Sequence, residues 1–290
     1  MWLILSLLSA FSKSASQILI KKLHYVDTLK IVSYSHIFSA IIIFPLIFYI
    51  DIPFFNKSFL YPSIISILLN VIAIILLVYA IKISDLSYSI PFLSFTPAFT
   101  IYFAYILRGE EITTYSIFGI FTIVLGTLGI DAKSFSDYIK LGGSRIFKNK
   151  GVFLVIIVAL IYSISSVYDK TATLASTPLV YVWFSTESRG LIFLLVIIFI
   201  YIMPTSTQIT NLQKQDMMFL FFIGLLFFLE MILQMKALEI GNVAEVIAIK
   251  RLSILITSIS GFLFFGEKLT KYKILSAVTM VAGSFIIYLQ

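Results

Sequence analysis

The chain alternates long apolar runs with short polar breaks. Runs of about 17–24 residues cover positions 2–20, 29–50, 61–81, 87–107 and 113–130, and then 151–172, 178–203, 217–235, 242–265 and 272–289. A helix rises about 1.5 Å per residue, so each run can cross a hydrocarbon layer about 30 Å thick. Inside lipid no water is present to bond stray backbone groups, which restricts spanning segments to helices and closed barrels. Barrel strands would read as short alternating segments, a pattern these runs do not have. The expectation is an all-α membrane protein with ten transmembrane helices. Most connections are short, so neighbouring helices are antiparallel. The longest polar stretch, Asp131 to Lys150, reads as a linker between two halves, 1–145 and 146–290.

The halves resemble each other. A shift of 157 residues lays 80–130 on 237–287 without a gap, matching Ala80 with Ala237, Thr100 with Thr257, Gly109 with Gly266, Glu110 with Glu267, Thr113 with Thr270, and Tyr115 with Tyr272. Apolar helices align with one another trivially. Gly-Glu and Thr-x-Tyr falling in register within interhelical turns do not. Each unit holds five spans, an odd number, so the second enters the membrane from the opposite side. Inverted repeats of this kind are the usual build of secondary transporters, with the substrate near the midplane.

Composition sharpens this. Hydrophobic residues make up 60% of the chain and charged residues 12%, against roughly 25% charged in soluble domains. Mean hydropathy is +1.06. There are no cysteines, which excludes disulfides and thiolate metal sites. A net charge of +7 without a basic, aromatic-laced patch outside the spans argues against nucleic-acid binding. The start does not read as a cleaved leader, because it lacks a basic opening and Lys13 interrupts its apolar stretch. Lysines and arginines concentrate in the first, fifth and ninth connections. That distribution places the central linker in the cytoplasm and both termini outside; the expected location is multi-pass in the plasma membrane of a prokaryote.

The turns carry a family likeness. Arg108-Gly109-Glu110-Glu111 and Phe265-Gly266-Glu267-Lys268 sit between the fourth and fifth helix of each unit. A lysine closes the first helix of each, Lys21 or Lys22 and then Lys170. Tyr79-Ala80-Ile81-Lys82 is echoed by Met235-Lys236-Ala237-Leu238. With the five-plus-five arrangement, these resemble the drug/metabolite transporter superfamily, specifically its EamA-type members. The resemblance implies carrier-mediated movement of a small metabolite or drug, often export. A narrower likeness lies in Ile249-Lys250-Arg251-Leu252-Ser253-Ile254-Leu255-Ile256. It looks like the stretch of plastid sugar-phosphate translocators whose Lys-Arg pair binds phosphate. Those carriers place a lysine where this chain has Leu93.

Ionisable groups inside spans are costly, which makes them candidates for function. They are Lys13, His36, Glu187, Arg189, Glu230, Glu245, Lys250 and Arg251. Lys250 lies close to mid-depth, and Ser253, Thr257 and Ser260 follow at spacings of 3, 7 and 10, so they share its face. Lys250 and Arg251 either hold an anionic substrate or close salt bridges to Glu230, Glu245 or Glu187. In the first helix Ser6, Ser9, Lys13, Ser16 and Gln17 share a face. Its repeat partner offers Tyr162, Ser165, Ser166 and Asp169. Pro91 and Pro97 bend the fourth helix, where Tyr88, Thr96 and Thr100 are polar handles. Glu245, Glu230 and His36 are the candidates for coupling to protons, with structural ion pairing as the alternative. Glu110 and Glu267 are expected to be structural, each early in the next helix, where a carboxylate favours the dipole.

These readings converge on a secondary transporter working by alternating access. It would export a small polar metabolite with at least one anionic group, such as an amino acid. The expected partners are the bilayer and the small-molecule substrate, with the chain a monomer or homodimer. No cofactor or metal is expected, because no metal-binding or nucleotide-binding motif is present. Three rivals stand beside it: a sugar-phosphate or nucleotide-sugar exchanger, a lipid-modifying membrane enzyme, and a sensor or assembly subunit without flux. No nucleophile–base pair supports the enzyme.

Overall fold

A computed structural model describes residues 1–50, 56–109, 113–128, 149–202, 212–268 and 270–289, and all regular elements among them are helical. In chain order these are α1 (Trp2–Lys22), α2 (Thr28–Ile43, continued as a 3-10 turn over Phe44–Phe48), α3 (Lys57–Ile83), α4 (Leu86–Ser89), α5 (Phe95–Arg108), α6 (Thr114–Leu128), α7 (Lys150–Leu174), α8 (Pro178–Ile202), α9 (Lys214–Ile240), α10 (Val243–Lys250), α11 (Leu252–Phe265) and α12 (Lys271–Tyr288). Among the described residues, eight helical stretches are long and apolar enough to cross a membrane. Of the ten expected spans, the fifth is apolar but shorter, Thr114–Gly126. The tenth corresponds to α12, which packs along α6. Most of the linker 131–150, and the Glu110 turn, lie outside the described residues.

Helix starts follow from short polar side chains at the polar breaks. The Asp27 carboxylate accepts from Leu29 N at 2.9 Å, Asn56 from Phe59 N at 3.0 Å, and Asn149 from Gly151 N at 2.9 Å. Each satisfies a backbone donor that the helix itself leaves orphaned. At the start of α9, Asp216 accepts from Gln213 N at 2.9 Å in a capping box. Its other oxygen accepts from the Tyr25 hydroxyl, pinning the α1–α2 turn to α9. That hydrogen bond to a carboxylate, with partial desolvation, holds the Tyr25 phenol above its ordinary pKa.

The fourth and ninth spans are both broken. Pro91 opens a 3-10 segment, Ile90–Ser94, between α4 and α5. In the ninth no proline is present, yet the helix stops at Lys250 and restarts at Leu252, with Arg251 between them. Both α5 and α11 end on a left-handed glycine, Gly109 (φ 67°) and Gly266 (φ 64°), a conformation that favours glycine.

The packing interleaves the two halves. The principal pairs are α1 with α9 and α3 with α7, then α2 with α8 and α6 with α12. Exchanging the halves turns α1 with α9 into α7 with α3 and leaves the set unchanged. In the broken spans α10 meets α5 and α11 meets α4, so they run antiparallel. Repeated polar ties reinforce the pattern. Lys21 Nζ donates to Ile81 O at 3.0 Å and Ser84 O at 2.6 Å; Lys170 Nζ donates to Gly241 O at 3.1 Å. Residue 84 aligns with 241, so both lysines cap the end of the third helix of their unit. Such carbonyls otherwise lack a partner.

The Gly-Glu turn works differently from the expectation. Glu267 precedes α12 and does not serve its dipole. Its carboxylate accepts from Leu86 N and Ser87 N, both at 2.8 Å, and so caps α4 of the other half. Gly261 makes room for it: a Cβ there would lie 2.4 Å from Glu267 Oε2. Glu267→Ala is expected to cost about 1–2 kcal/mol, read as a lower thermal midpoint in detergent, with Glu267→Gln milder. Equal midpoints for wild type and Glu267→Ala would show that the cap contributes nothing.

Candidate functional site

Between the halves lies a cavity of about 90 Å³ walled by charged and polar groups from α1, α2, α3, α7, α8, α9 and α10. Its centre is Glu230, on α9. Glu230 Oε1 lies 2.6 Å from Lys250 Nζ and 3.2 Å from Lys13 Nζ. One carboxylate oxygen thus serves two buried lysines from opposite halves. Lys250 also donates to the Gln234 side-chain oxygen. Gln234 follows Glu230 by four residues, one turn along the same face. The backbone helps: Ser9 Oγ donates to Glu230 O at 3.1 Å, binding α1 to α9 at this level. Lys13 Nζ stands 5.4 Å from the centre of the Tyr162 ring, a cation–π contact.

A second cluster forms another wall. Asp169 Oδ1 accepts from the hydroxyls of Ser66 and Tyr181. Asn70 Nδ2 donates to Ser66 Oγ at 3.0 Å and to Ser165 Oγ at 2.5 Å. This network joins α3, α7 and α8. Arg189 donates through Nε to Ser185 O at 3.0 Å and contacts the Met231 sulfur. Arg251 is 4% exposed, and its Nε has no hydrogen-bond partner. Four cations, Lys13, Arg189, Lys250 and Arg251, therefore face two carboxylates, Glu230 and Asp169, around the cavity. A formal excess of two positive charges sits where unpaired charge costs several kcal/mol per ion. An anion entering the cavity would relieve it.

The family model for EamA-like transporters matches residues 1–130 and 149–289, nearly the whole chain. The chain belongs to the EamA-like transporter family. It is a multi-pass membrane protein of the drug/metabolite transporter superfamily, whose members carry solutes rather than catalyse reactions. A crystal structure of another protein, 12% identical, superposes with a TM-score of 0.64 over 98% of this chain and 96% of its own. At that identity the likeness is one of fold. No curated protein matches the chain.

In this EamA-like chain Lys13, His36, Tyr162, Glu230, Lys250 and Arg251 line the common cavity. The other expected site residues lie elsewhere. Ser253 and Thr257 were expected on the face of Lys250, but the break at Arg251 ends that periodicity. Thr257 Oγ1 instead meets Ser14 Oγ and Gln17 Oε1, both at 2.9 Å, in the α1–α11 contact. Ser253 is buried outside the cavity wall. The same break brings Arg251 to the cavity beside Lys250, where an unbroken helix would turn it about 100° away. Thr96 and Thr100 donate to carbonyls of their own helix, Leu93 O at 2.7 Å and Thr96 O at 2.8 Å. Tyr88 packs near Lys273, whose Nζ is 5.6 Å from its ring centre. No residue of the fourth span lines the cavity, and Leu93 lies in apolar core. Glu245 accepts from Asn242 Nδ2 at 2.8 Å, at the exposed start of α10.

Sequence reasoning left Asn70, Gln234, Asp169 and Arg189 out of the candidate site. Arg189 stood among the intramembrane charges and Asp169 on the expected sixth-helix wall. Asn70 interrupts an apolar run, and Gln234 shares the face of Glu230; both signals were available.

The shared carboxylate orders the variants. Glu230→Gln strands two buried lysines and is expected to destabilise by about 3 kcal/mol or more. Lys250→Met costs less, since Lys13 keeps its partner. Removing all three charges with Lys13→Met, Glu230→Leu and Lys250→Met together recovers much of the loss. Thermal unfolding in micelles checks the order; Lys250→Met proving worse than Glu230→Gln would refute it.

Proposed function

We propose that this EamA-like protein is a secondary active transporter that exports a small, anion-bearing polar metabolite across a prokaryotic plasma membrane by alternating access. The ten spans form two inverted five-helix repeats, with the central linker cytoplasmic. The substrate site is the cavity at Glu230. The observation that carries this reading is the excess of cations there, with Arg251 Nε buried and unpartnered. Arg251 and Arg189 hold the substrate anion. Lys13, Lys250 and Tyr162 complete that side of the site.

The size of the cavity, about 90 Å³, favours a compact solute. Drug-sized ligands occupy roughly 300–1,000 Å³. An amino acid or related acid fits both the size and the charge. Glu230 is the candidate for coupling. A substrate carboxylate competes with it for the same lysines, and protonating Glu230 would release them. Glu245 is remote from that competition.

Reconstituted protein should show pH-gradient-driven flux of at least one small organic acid or amino acid. Arg251→Gln should weaken its apparent affinity by about ten-fold or more, the scale of a lost charged hydrogen bond. Flux unaltered by Arg251→Gln, or none for any anionic solute, would overturn the assignment.

A further inference from the structure

His36 is 3% exposed and lies in the cavity wall. Its ring packs against two aromatic rings, Phe193, stacked at 4.9 Å and 16°, and Phe227, tilted at 5.0 Å and 31°. Neither Nδ1 nor Nε2 has a hydrogen-bond partner. Leaving a buried polar atom in that condition is costly, and native proteins leave few such atoms without a reason. Its charged surroundings are cationic. The nearby charged groups are Arg189 from α8 and Lys13 from α1, and among the described residues no carboxylate hydrogen-bonds to it. A protonated ring would add a fifth cation to this wall. The neutral ring offers one N–H donor and one bare nitrogen acceptor.

We propose that His36 determines specificity by reading a neutral hydroxyl or carboxamide on the substrate, while the substrate's anionic group lies with the arginines. A group that both donates and accepts satisfies His36 whichever nitrogen carries the proton. An ammonium only donates, and Arg189 and Lys13 repel it. A second carboxylate only accepts and is drawn to the guanidinium groups instead. The two near-parallel ring contacts restrict the imidazole plane. The substrate class is therefore a small hydroxy acid or amide acid. This rests on the anion-site reading above and adds the second group.

Four probes of similar size separate the two ideas: lactate, malonamate, propionate and alanine, with binding to the full-length protein measured by calorimetry. Wild type is expected to bind lactate and malonamate about ten-fold or more tightly than propionate and alanine, since a site built to hydrogen-bond a group rejects the analogue lacking it. In His36→Phe, which keeps the aromatic stack, that ratio should collapse to within about two-fold. His36→Leu serves the same comparison if the phenylalanine overpacks. Arg251→Gln should weaken all four and keep the ratio. A ratio near one in wild type, or one that survives His36 replacement, overturns this inference and leaves the anion site standing. Failure of all four to bind wild type overturns both.

Discussion

One carboxylate oxygen holds the centre of this molecule together. Lys13 belongs to the first half and Lys250 to the second. Neither can remain charged in a low-dielectric interior without a counter-ion, and both find it in Glu230 Oε1. Three helices, α1, α9 and α10, are therefore drawn to one point. Side chains of this length and charge cannot be packed as apolar ones are, and a polar cavity remains beside them. The duplicated scaffold does not require this. Under the repeat alignment Lys13 corresponds to Tyr162, Glu230 to Ala73 and Lys250 to Leu93. Ala73 and Leu93 lie in the apolar core. At those two positions the first half places hydrocarbon where the second half keeps its charges, and at Lys13 the charge is in the first half.

The scaffold was legible because a bilayer leaves few alternatives. Backbone groups must be bonded within a segment, so apolar runs of sufficient length become helices, and the spans follow the runs closely. The repeat was legible in its turns, where apolar similarity cannot imitate a match. The break in the ninth span was not. Proline announces the break in the fourth, but Ile249-Lys250-Arg251-Leu252 contains no residue that forbids a helix. The break falls where α10 and α11 pack antiparallel against the broken fourth span, a tertiary setting the local sequence does not announce.

The site was legible as charges and not as partnerships. Burial cost alone marks Lys13, Glu230, Lys250 and Arg251 as needing an explanation, and they do come together. Hydroxyl residues were poor guides. In a lipid environment a serine or threonine can bond its own helix carbonyl three or four residues back, as Thr96, Thr100, Thr173 and Ser260 do. A hydroxyl stripe therefore says little about a wet face. Amides behave otherwise: Gln234 reaches out to Lys250, and Asn70 reaches across to Ser165. In a span, an isolated Asn or Gln is the better signal of a polar junction.

Two of the ties that cross between the halves differ in character. The Glu267 carboxylate caps α4 through backbone N–H groups at a helix end, away from the cavity. The Glu230 bridge is made of side chains and lines a cavity that a ligand can enter. An anion offered to Lys13 and Lys250 competes directly with Glu230, at little cost to the rest of the fold, because the lysines exchange one oxygen partner for another. On the proposed reading, binding of an anionic substrate would loosen the central tie while the peripheral cap persists. A carrier needs that separation: halves that stay registered at the edge while the contact at the middle changes hands.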